Sequence, residues 1–250
     1  MMETNDDTSQ NPLAPHPPIP AGWWQEALTL VVEGAMAADF LQGYLTCDTL
    51  HLQADRTQPA AICNVKGRVI ANGWAIALPE AVGLITHRSL FDVVAKFLGP
   101  YINFSKCTLG QQPLFVAVNC SDAKIRLFDD VKVTLLESEP EGLKDVSADL
   151  QQRLVADRHV FISNEVSAEF LPQMLGLDKV GAVDFSKGCY LGQEIVARAQ
   201  FRGAVKRTLQ HFTWSDTPPQ IGSTTASRAT VVNVAADGHG LQVGSSQTSG

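Results

Sequence analysis

The sequence predicts an α+β fold with a mostly antiparallel sheet. Segments with the apolar pattern of strands are interleaved with segments of helical periodicity. The interleaving lacks the regular strand–helix–strand rhythm and the glycine fingerprint of a dinucleotide-binding fold. Two apolar runs joined through residues 64–67 also predict a hairpin, because Gly67 can adopt the positive φ that a tight turn needs.

Strand and helix patterns follow one another along the whole chain. The predicted strands lie within residues 28–32, 59–78, 82–86, 114–118, 125–128, 131–136, 207–214, 228–234 and 241–243. The predicted helices lie within residues 35–41, 90–98, 147–155 and 193–200. Ser89 is expected to cap the second helix, and Gly99 with Pro100 is expected to end it, since proline lacks the amide donor that a helix requires.

We predict four parts from shifts in composition. Residues 1–22 are polar and proline-rich, which is typical of a disordered or extended tail. Residues 23–113 and 114–204 are predicted to form two α+β parts. Residues 205–250 are predicted to form a short or truncated C-terminal β part.

Composition and charge exclude several classes of protein. The 250 residues carry a net charge of −7, which argues against general binding to nucleic acid. We therefore expect no direct contact with nucleic acid. We also expect none with a membrane, because no apolar run reaches the roughly 18 residues of a bilayer span. The N-terminus has neither signal-peptide nor transit-peptide character, so the expected location is the cytoplasm.

The cysteines do not form a disulfide or metal-binding pattern. They are odd in number, widely spaced and without a C-x-x-C pair, so a metal site is not expected. Most are interpreted as small buried apolar residues in a reducing compartment. The five positions are Cys47, Cys63, Cys107, Cys120 and Cys189.

The stretch around Cys189 has the highest density of reactive groups. Gly188 and Gly192 are expected to let the backbone turn sharply and to let another group approach closely, and a helix is expected to begin just after them. The helix N-terminus and the nearby Lys187 would both favour the thiolate of Cys189. A packing role for this cysteine stays open, and His211 is the nearest histidine in sequence, so a Cys–His nucleophile pair is not indicated.

The same stretch is a basic segment in an acidic chain. Residues 185–215 contain five lysines and arginines against the single carboxylate Glu194. Arg198 and Arg202 are four residues apart and could present two guanidinium groups to an anion. Glu194 could accept two hydrogen bonds or could simply complement the helix dipole. A solvated helix face is the alternative for all three residues.

The run from Lys187 to Glu194 resembles the K-G-C-Y-x-G-Q-E signature of the YgfZ family. These proteins are folate-binding relatives of the glycine-cleavage T-protein that support iron–sulfur proteins and, in bacteria, tRNA modification. Weaker similarity continues through residues 40–43, 63–72, 170–173 and 198–207, so that it covers most of residues 25–210.

The resemblance implies a fold, a ligand and a set of site residues. It implies a T-protein-like architecture of two ferredoxin-like parts around a central channel, with a short C-terminal β-barrel-like part. It implies tetrahydrofolate or a derivative as ligand and iron–sulfur client proteins as partners. Cys189 and Lys187 correspond to the working residues of the motif, and the residues expected near the folate are Tyr190, Gln193, Glu194, Arg198 and Arg202.

Two departures from the T-protein pattern affect the expected chemistry. Asn72 stands where T-proteins have a catalytic aspartate, and an amide cannot act as an acid or base. Val155 stands where they have the glutamate that holds the pterin. The leading hypothesis is therefore an accessory protein that assembles or repairs iron–sulfur enzymes, including tRNA-modifying ones, and not a conventional aminomethyltransferase. A tetrahydrofolate-dependent C1 transferase and a folate-free interaction scaffold are the alternatives.

Overall fold

The computed structural model describes residues 16–203 and 205–246. The predicted tail therefore lies largely outside the described residues. Its last part, residues 16–21, has an extended course against the sheet. Ile19 is 7% exposed, and its carbonyl accepts a hydrogen bond from the Asn119 side chain at 2.9 Å.

Eight strands form one curled sheet. Along most of its width the order is β2-β3-β4-β1-β6-β8-β7, and β5 pairs with β1 beside this path. All pairings within the sheet are antiparallel. The strands are β1 (Gly22–Glu33), β2 (Gln58–Cys63), β3 (Val69–Leu78), β4 (Ala81–His87), β5 (Thr108–Leu109), β6 (Leu114–Val118), β7 (Ile125–Phe128) and β8 (Val131–Leu136).

A second, three-stranded sheet follows the motif. Its strands are β9 (Arg207–Thr213), β10 (Thr230–Val234) and β11 (His239–Ser245), in the order β10-β11-β9 and again antiparallel. The predicted α+β class and antiparallel pairing are confirmed. The predicted division into parts stays a prediction, and the boundary after residue 113 falls where the large sheet continues from β1 to β6.

Within the described residues, four α-helices accompany the sheets. They are α1 (Ala37–Gln42), α2 (Phe91–Ile102), α3 (Ser147–Ala156) and α4 (Gln193–Phe201). The predicted end of the second helix is wrong, because α2 continues through Pro100 to Ile102. Ile102 is 6% exposed and packs into the core, which favours the extra turn over an earlier end. The predicted cap is also wrong, since Ser89 lies in a 3-10 turn ahead of α2.

Buried apolar side chains form two clusters. The larger cluster joins α1, α2 and the β2–β3 hairpin to the segment that leads into the motif. The smaller cluster contains Trp24, Trp74 and Phe161, whose rings lie 4.8 to 5.6 Å apart, and it also packs α3 against the large sheet. Two clusters are typical of a chain of this length.

Two asparagine side chains hold the extended segment between the sheets. Asn72 on β3 donates to the Val160 carbonyl at 2.6 Å and accepts from the Ile162 amide at 3.0 Å. Asn233 on β10 accepts from the Phe161 amide at 3.1 Å and donates to the Phe161 carbonyl at 3.0 Å. Successive backbone groups of an extended segment point in opposite directions. The side chain of Asn72 in the large sheet therefore bonds to one side of the segment, and the side chain of Asn233 in the small sheet bonds to the other. The segment thereby connects the two sheets.

Candidate functional site

The motif forms a loop that leads directly into α4. Residues 186–192 have no regular secondary structure, and α4 begins at Gln193. Cys189 lies in the loop and its side chain is exposed. The predicted helix start and the position of the cysteine just ahead of it are confirmed.

Lys187 points into the protein and holds the loop in place. Its ammonium group donates to the backbone carbonyls of Gln42, Leu45 and Cys47 at 2.9, 2.7 and 2.7 Å. Burial lowers the pKa of this ammonium group, while the nearby Cys47 and Asp48 oppose the shift. Because all three donors are used, the geometry supports an anchoring role. The expected activation of the Cys189 thiol by Lys187 stays a prediction.

Further hydrogen bonds attach the motif to the chain that follows α1. The Leu191 amide donates to the Gly43 carbonyl at 2.9 Å, and the Asp184 amide donates to the Thr46 carbonyl at 2.9 Å. The Thr46 hydroxyl donates to the Ala182 carbonyl at 2.5 Å. The loop is thus held on both sides of Cys189, which fixes the backbone that carries the thiol.

A glycine pair lets the motif contact the β2–β3 turn closely. Gly192 has φ +82° and Gly67 has φ +68°, and a Cβ atom on Gly192 would lie 2.3 Å from the Asn64 carbonyl oxygen. Only glycine fits both the left-handed backbone and this contact. Gly188 has no positive φ, and a Cβ there would meet nothing within 4 Å, so the expected close approach is confirmed for Gly192 and wrong for Gly188.

Tyr190 is the buried aromatic residue of the motif. Its side chain is 6% exposed, and the Lys187 ammonium lies 5.4 Å from the ring centroid. Burial, followed by the nearby Cys63, raises the pKa of its hydroxyl well above the usual range. The hydroxyl oxygen has no hydrogen-bond partner among the described residues. Tyr190 therefore stays protonated, and its buried side chain supports the motif loop.

An open cavity of about 540 Å³ lies beside Cys189. The structure brings four of the predicted site residues together here, whereas Lys187, Arg198 and Arg202 are absent from its lining. Val65, which the sequence did not single out, joins them from the β2–β3 turn and is 67% exposed. The similarity through residues 63–72 was the feature of the sequence that could have identified Val65. The lining consists of Val65, Cys189, Tyr190, Leu191, Gly192, Gln193, Glu194, Ile195 and Ala197.

The arginines of α4 are exposed. Arg198 forms an ion pair with Glu194 one turn earlier, with 2.8 Å between Nη2 and Oε1. Both side chains are largely solvated, at 63% and 82% exposure, so the pair adds little stability. Arg202 follows the helix and is also exposed. The pair leaves Arg198 less free to bind an anion than the sequence suggests, and its role in binding stays a prediction.

The other cysteines differ sharply from Cys189. Cys47, Cys63 and Cys107 are buried and Cys120 is partly buried. Burial raises the pKa of Cys47 and of Cys63 to about 12, which keeps both thiols protonated and unreactive. Among the described residues, no group of three or more His, Cys, Asp and Glu is arranged to hold a metal ion. No helix within 16–203 or 205–246 is long and apolar enough to cross a membrane.

The comparisons with known proteins agree with the motif. A tRNA-modifying protein YgfZ from Sodalis glossinidius (strain morsitans) is 29% identical over 81% of this chain and 76% of its own length. The protein of the same name from Yersinia pseudotuberculosis serotype O:1b (strain IP 31758) is 28% identical over 79% and 74%. The chain is a relative of the YgfZ proteins. No protein-family model matches it.

The fold of this YgfZ relative is that of the T-protein. The glycine cleavage system aminomethyltransferase T from Bartonella henselae superposes with a TM-score of 0.65 over 88% of this chain and 76% of the other. The two sequences are 13% identical, so the likeness concerns the fold alone. The predicted T-protein-like fold is confirmed.

The two positions that differ from T-proteins do not fit folate in the way that the resemblance implies. Asn72 is 1% exposed, and both atoms of its amide are bonded to the backbone of the connecting segment. Val155 is 1% exposed and packs into the larger core. Neither position offers a carboxylate to a pterin.

Proposed function

We propose that this protein is a cytoplasmic accessory protein that supports the assembly or repair of iron–sulfur enzymes, including tRNA-modifying ones, and that Cys189 is its working thiol. The single observation that carries the proposal is the contrast among the cysteines. Cys189 is exposed on a loop whose backbone is held on both sides, whereas Cys47, Cys63 and Cys107 are buried. A fixed and accessible thiol is suited to react with, or to bind, a group that a client protein presents.

The names of the YgfZ relatives support the tRNA-modification part of the proposal. The open cavity beside Cys189 supports contact with a client, because Val65 and Glu194 give it an exposed apolar and an exposed acidic side. The iron–sulfur part rests on the motif from Lys187 to Glu194 and on the T-protein fold.

The decisive experiment replaces Cys189 in cells that lack the native protein. We expect Cys189→Ser to lose most of the iron–sulfur enzyme activity and of the tRNA modification that the unaltered chain restores. Cys120→Ser is the matched control, because Cys120 is a second, partly buried cysteine outside the motif and its loss should leave the rescue intact. Full rescue by Cys189→Ser would exclude the thiol role.

Alkylation kinetics test the same contrast on the purified protein. At neutral pH, iodoacetamide should modify Cys189 readily, because its side chain is exposed. Cys47 and Cys63 should react at least about a hundredfold more slowly, because they become accessible only when the protein opens. Mass spectrometry of the peptides gives each rate, and equal rates would contradict the described burial.

Tetrahydrofolate is the ligand that we propose, on the strength of the fold and the motif. Calorimetric titration decides between this and a folate-free scaffold, which Val155 favours. Binding that is lost in Arg198→Ala would support the predicted contact with the anionic tail of folate. If no heat of binding is detected at any accessible concentration, the folate-free scaffold is the hypothesis that remains. The C1 transferase is disfavoured by Asn72, and any turnover in a methylene-transfer assay would revive it.

A further inference from the structure

A second cavity has one arginine and two histidines in its lining. It has a volume of about 380 Å³ and lies between the end of α3 and the C-terminal sheet. Arg158, His211 and His239 line it, and the lining is completed by Gln152, Val155, Ala156 and Asp237. This cavity shares no residue with the one beside Cys189.

Arg158 occupies a backbone position that favours glycine. The Arg158 amide donates to the Val155 carbonyl at 3.1 Å, and the His159 amide donates to the Leu154 carbonyl at 2.8 Å. These two bonds are the Schellman motif that closes a helix, and the left-handed residue in it is usually glycine. Arg158 adopts it with φ +54°. A strained position that keeps a large charged side chain suggests a function for that side chain.

The guanidinium group of Arg158 has no acidic partner. Among the residues described, it makes no ion pair and no hydrogen bond, although it lines this cavity and a neighbouring one of about 480 Å³. Two of the carboxylates that line these cavities, Asp157 and Asp237, already have partners, whereas the Oδ1 atom of Asp178 in the larger cavity has none among the described residues. Asp157 pairs with Arg153 at 2.5 Å and with His16 at 2.8 Å. Asp237 accepts from the Gln152 side chain at 2.9 Å and from the His239 amide at 3.2 Å.

Two imidazole rings stand beside this guanidinium group. His211 on β9 and His239 on β11 lie on neighbouring strands with 5.0 Å between their ring centroids. Burial, followed by His239 and Arg158, lowers the pKa of His211, whereas Asp237 opposes the shift. The Nδ1 atom of His239 is buried and has no partner among the described residues. The side chains of Arg158, His211 and His239 thus line one cavity. The carboxylate in the same lining, Asp237, accepts hydrogen bonds from Gln152 and from the His239 amide.

We propose that Arg158, His211 and His239 form a binding site for an oxyanion group, either a carboxylate or a phosphate. Guanidinium and imidazolium groups donate charge-assisted hydrogen bonds to such oxygens. The bound anion would stabilise the protonated form of His211, so binding strengthens as the pH falls. The site shares no lining residue with the cavity beside Cys189 and goes beyond the function proposed above.

Sulfate is the probe, because its charge does not change between pH 6 and pH 8. In NMR titrations at constant ionic strength, the ring C–H resonances of His211 and His239 should shift saturably, with tighter binding at pH 6. Arg158→Gln should weaken sulfate binding by about tenfold or more, as expected for the loss of a charge-assisted contact. Arg228→Gln is the matched control, since Arg228 is also an exposed arginine with positive φ, at +59°. It should bind sulfate like the unaltered chain.

A glycine substitution separates binding from stability. Arg158→Gly should remove sulfate binding and yet raise the melting temperature by about 2 to 4 °C, because it relieves the left-handed strain. A lower melting temperature with unchanged sulfate affinity would show that Arg158 serves only the helix end and would overturn the proposal. Shifts that do not saturate, or an equal loss in Arg228→Gln, would overturn it as well. A parallel titration with glutarate distinguishes a carboxylate-bearing ligand from a phosphate-bearing one.

Discussion

Replacing Gly192 by alanine tests the construction of the motif loop. The residue has φ +82°, which costs an L-residue about 1 to 2 kcal/mol. The new Cβ would also lie 2.3 Å from the Asn64 carbonyl oxygen and 3.1 Å from the Gly67 Cα atom. Both are backbone atoms, so relief requires the loop and the turn to separate, which adds about 1 to 3 kcal/mol. We therefore expect Gly192→Ala to lose about 2 to 5 kcal/mol of unfolding free energy.

The matched control is the other glycine of the motif. A Cβ on Gly188 meets nothing within 4 Å, so Gly188→Ala should change the stability by less than about 1 kcal/mol. Differential scanning calorimetry of the two variants measures the contrast. Gly192→Ala should melt roughly 5 to 15 °C below Gly188→Ala. Melting temperatures within one or two degrees of each other would refute the argument that this close contact organises the loop.

Three further substitutions follow from buried polar groups. Lys187→Met should lower the unfolding free energy by about 2 kcal/mol or more, because three carbonyls lose their donor. Lys179→Met is the control and should show no such loss, because Lys179 is exposed. His159→Phe should weaken the pH dependence of stability. Burial lowers the pKa of His159 to about 4, so its contribution is complete above the unfolded value near 6.5 and is lost as the pH falls, by about 2 kcal/mol between pH 7 and pH 5. Asn72→Asp should cost about 3 kcal/mol, since an ionised carboxylate cannot donate to the Val160 carbonyl, and should show no C1 transfer.

Chemical denaturation measures all three effects. An unchanged midpoint in Lys187→Met would mean that the carbonyls find other donors. For His159, the parent and the variant must be compared at both pH values, and parallel loss in the two proteins would assign the acid sensitivity to other groups. A stable Asn72→Asp that transfers a C1 unit would return the chain to the chemistry of the T-protein.

Features that depend on neighbouring residues were predictable from the sequence. The hairpin around residues 64–67 and the start of α4 follow from turn residues, helix propensity and apolar periodicity, whereas the exposure of Cys189 was left open by the sequence. The end of α2 was not predictable in this way. Pro100 lies in the last turn, where the lost hydrogen bond costs less than the burial of Ile102 contributes.

Features that depend on distant residues were not predictable. The carbonyls that receive the Lys187 ammonium are 140 to 145 residues away in sequence, and no local pattern indicates that they converge. The same holds for Asn72, whose partners lie 88 and 90 residues further along. Sequence reasoning denied Asn72 an acid–base role, and only the structure gives it a different one.

The motif therefore contains both inward-facing scaffold residues and an exposed cysteine, and this difference decides how variants must be interpreted. Lys187, Tyr190 and Gly192 face inward or touch backbone, so their substitution alters the loop before it alters any reaction. Loss of function in a Lys187 variant is evidence of a chemical role only if the unfolding free energy is unchanged. Cys189 is exposed and its side chain holds nothing in place among the described residues. Cys189→Ser is the substitution in this motif whose phenotype reports on chemistry alone.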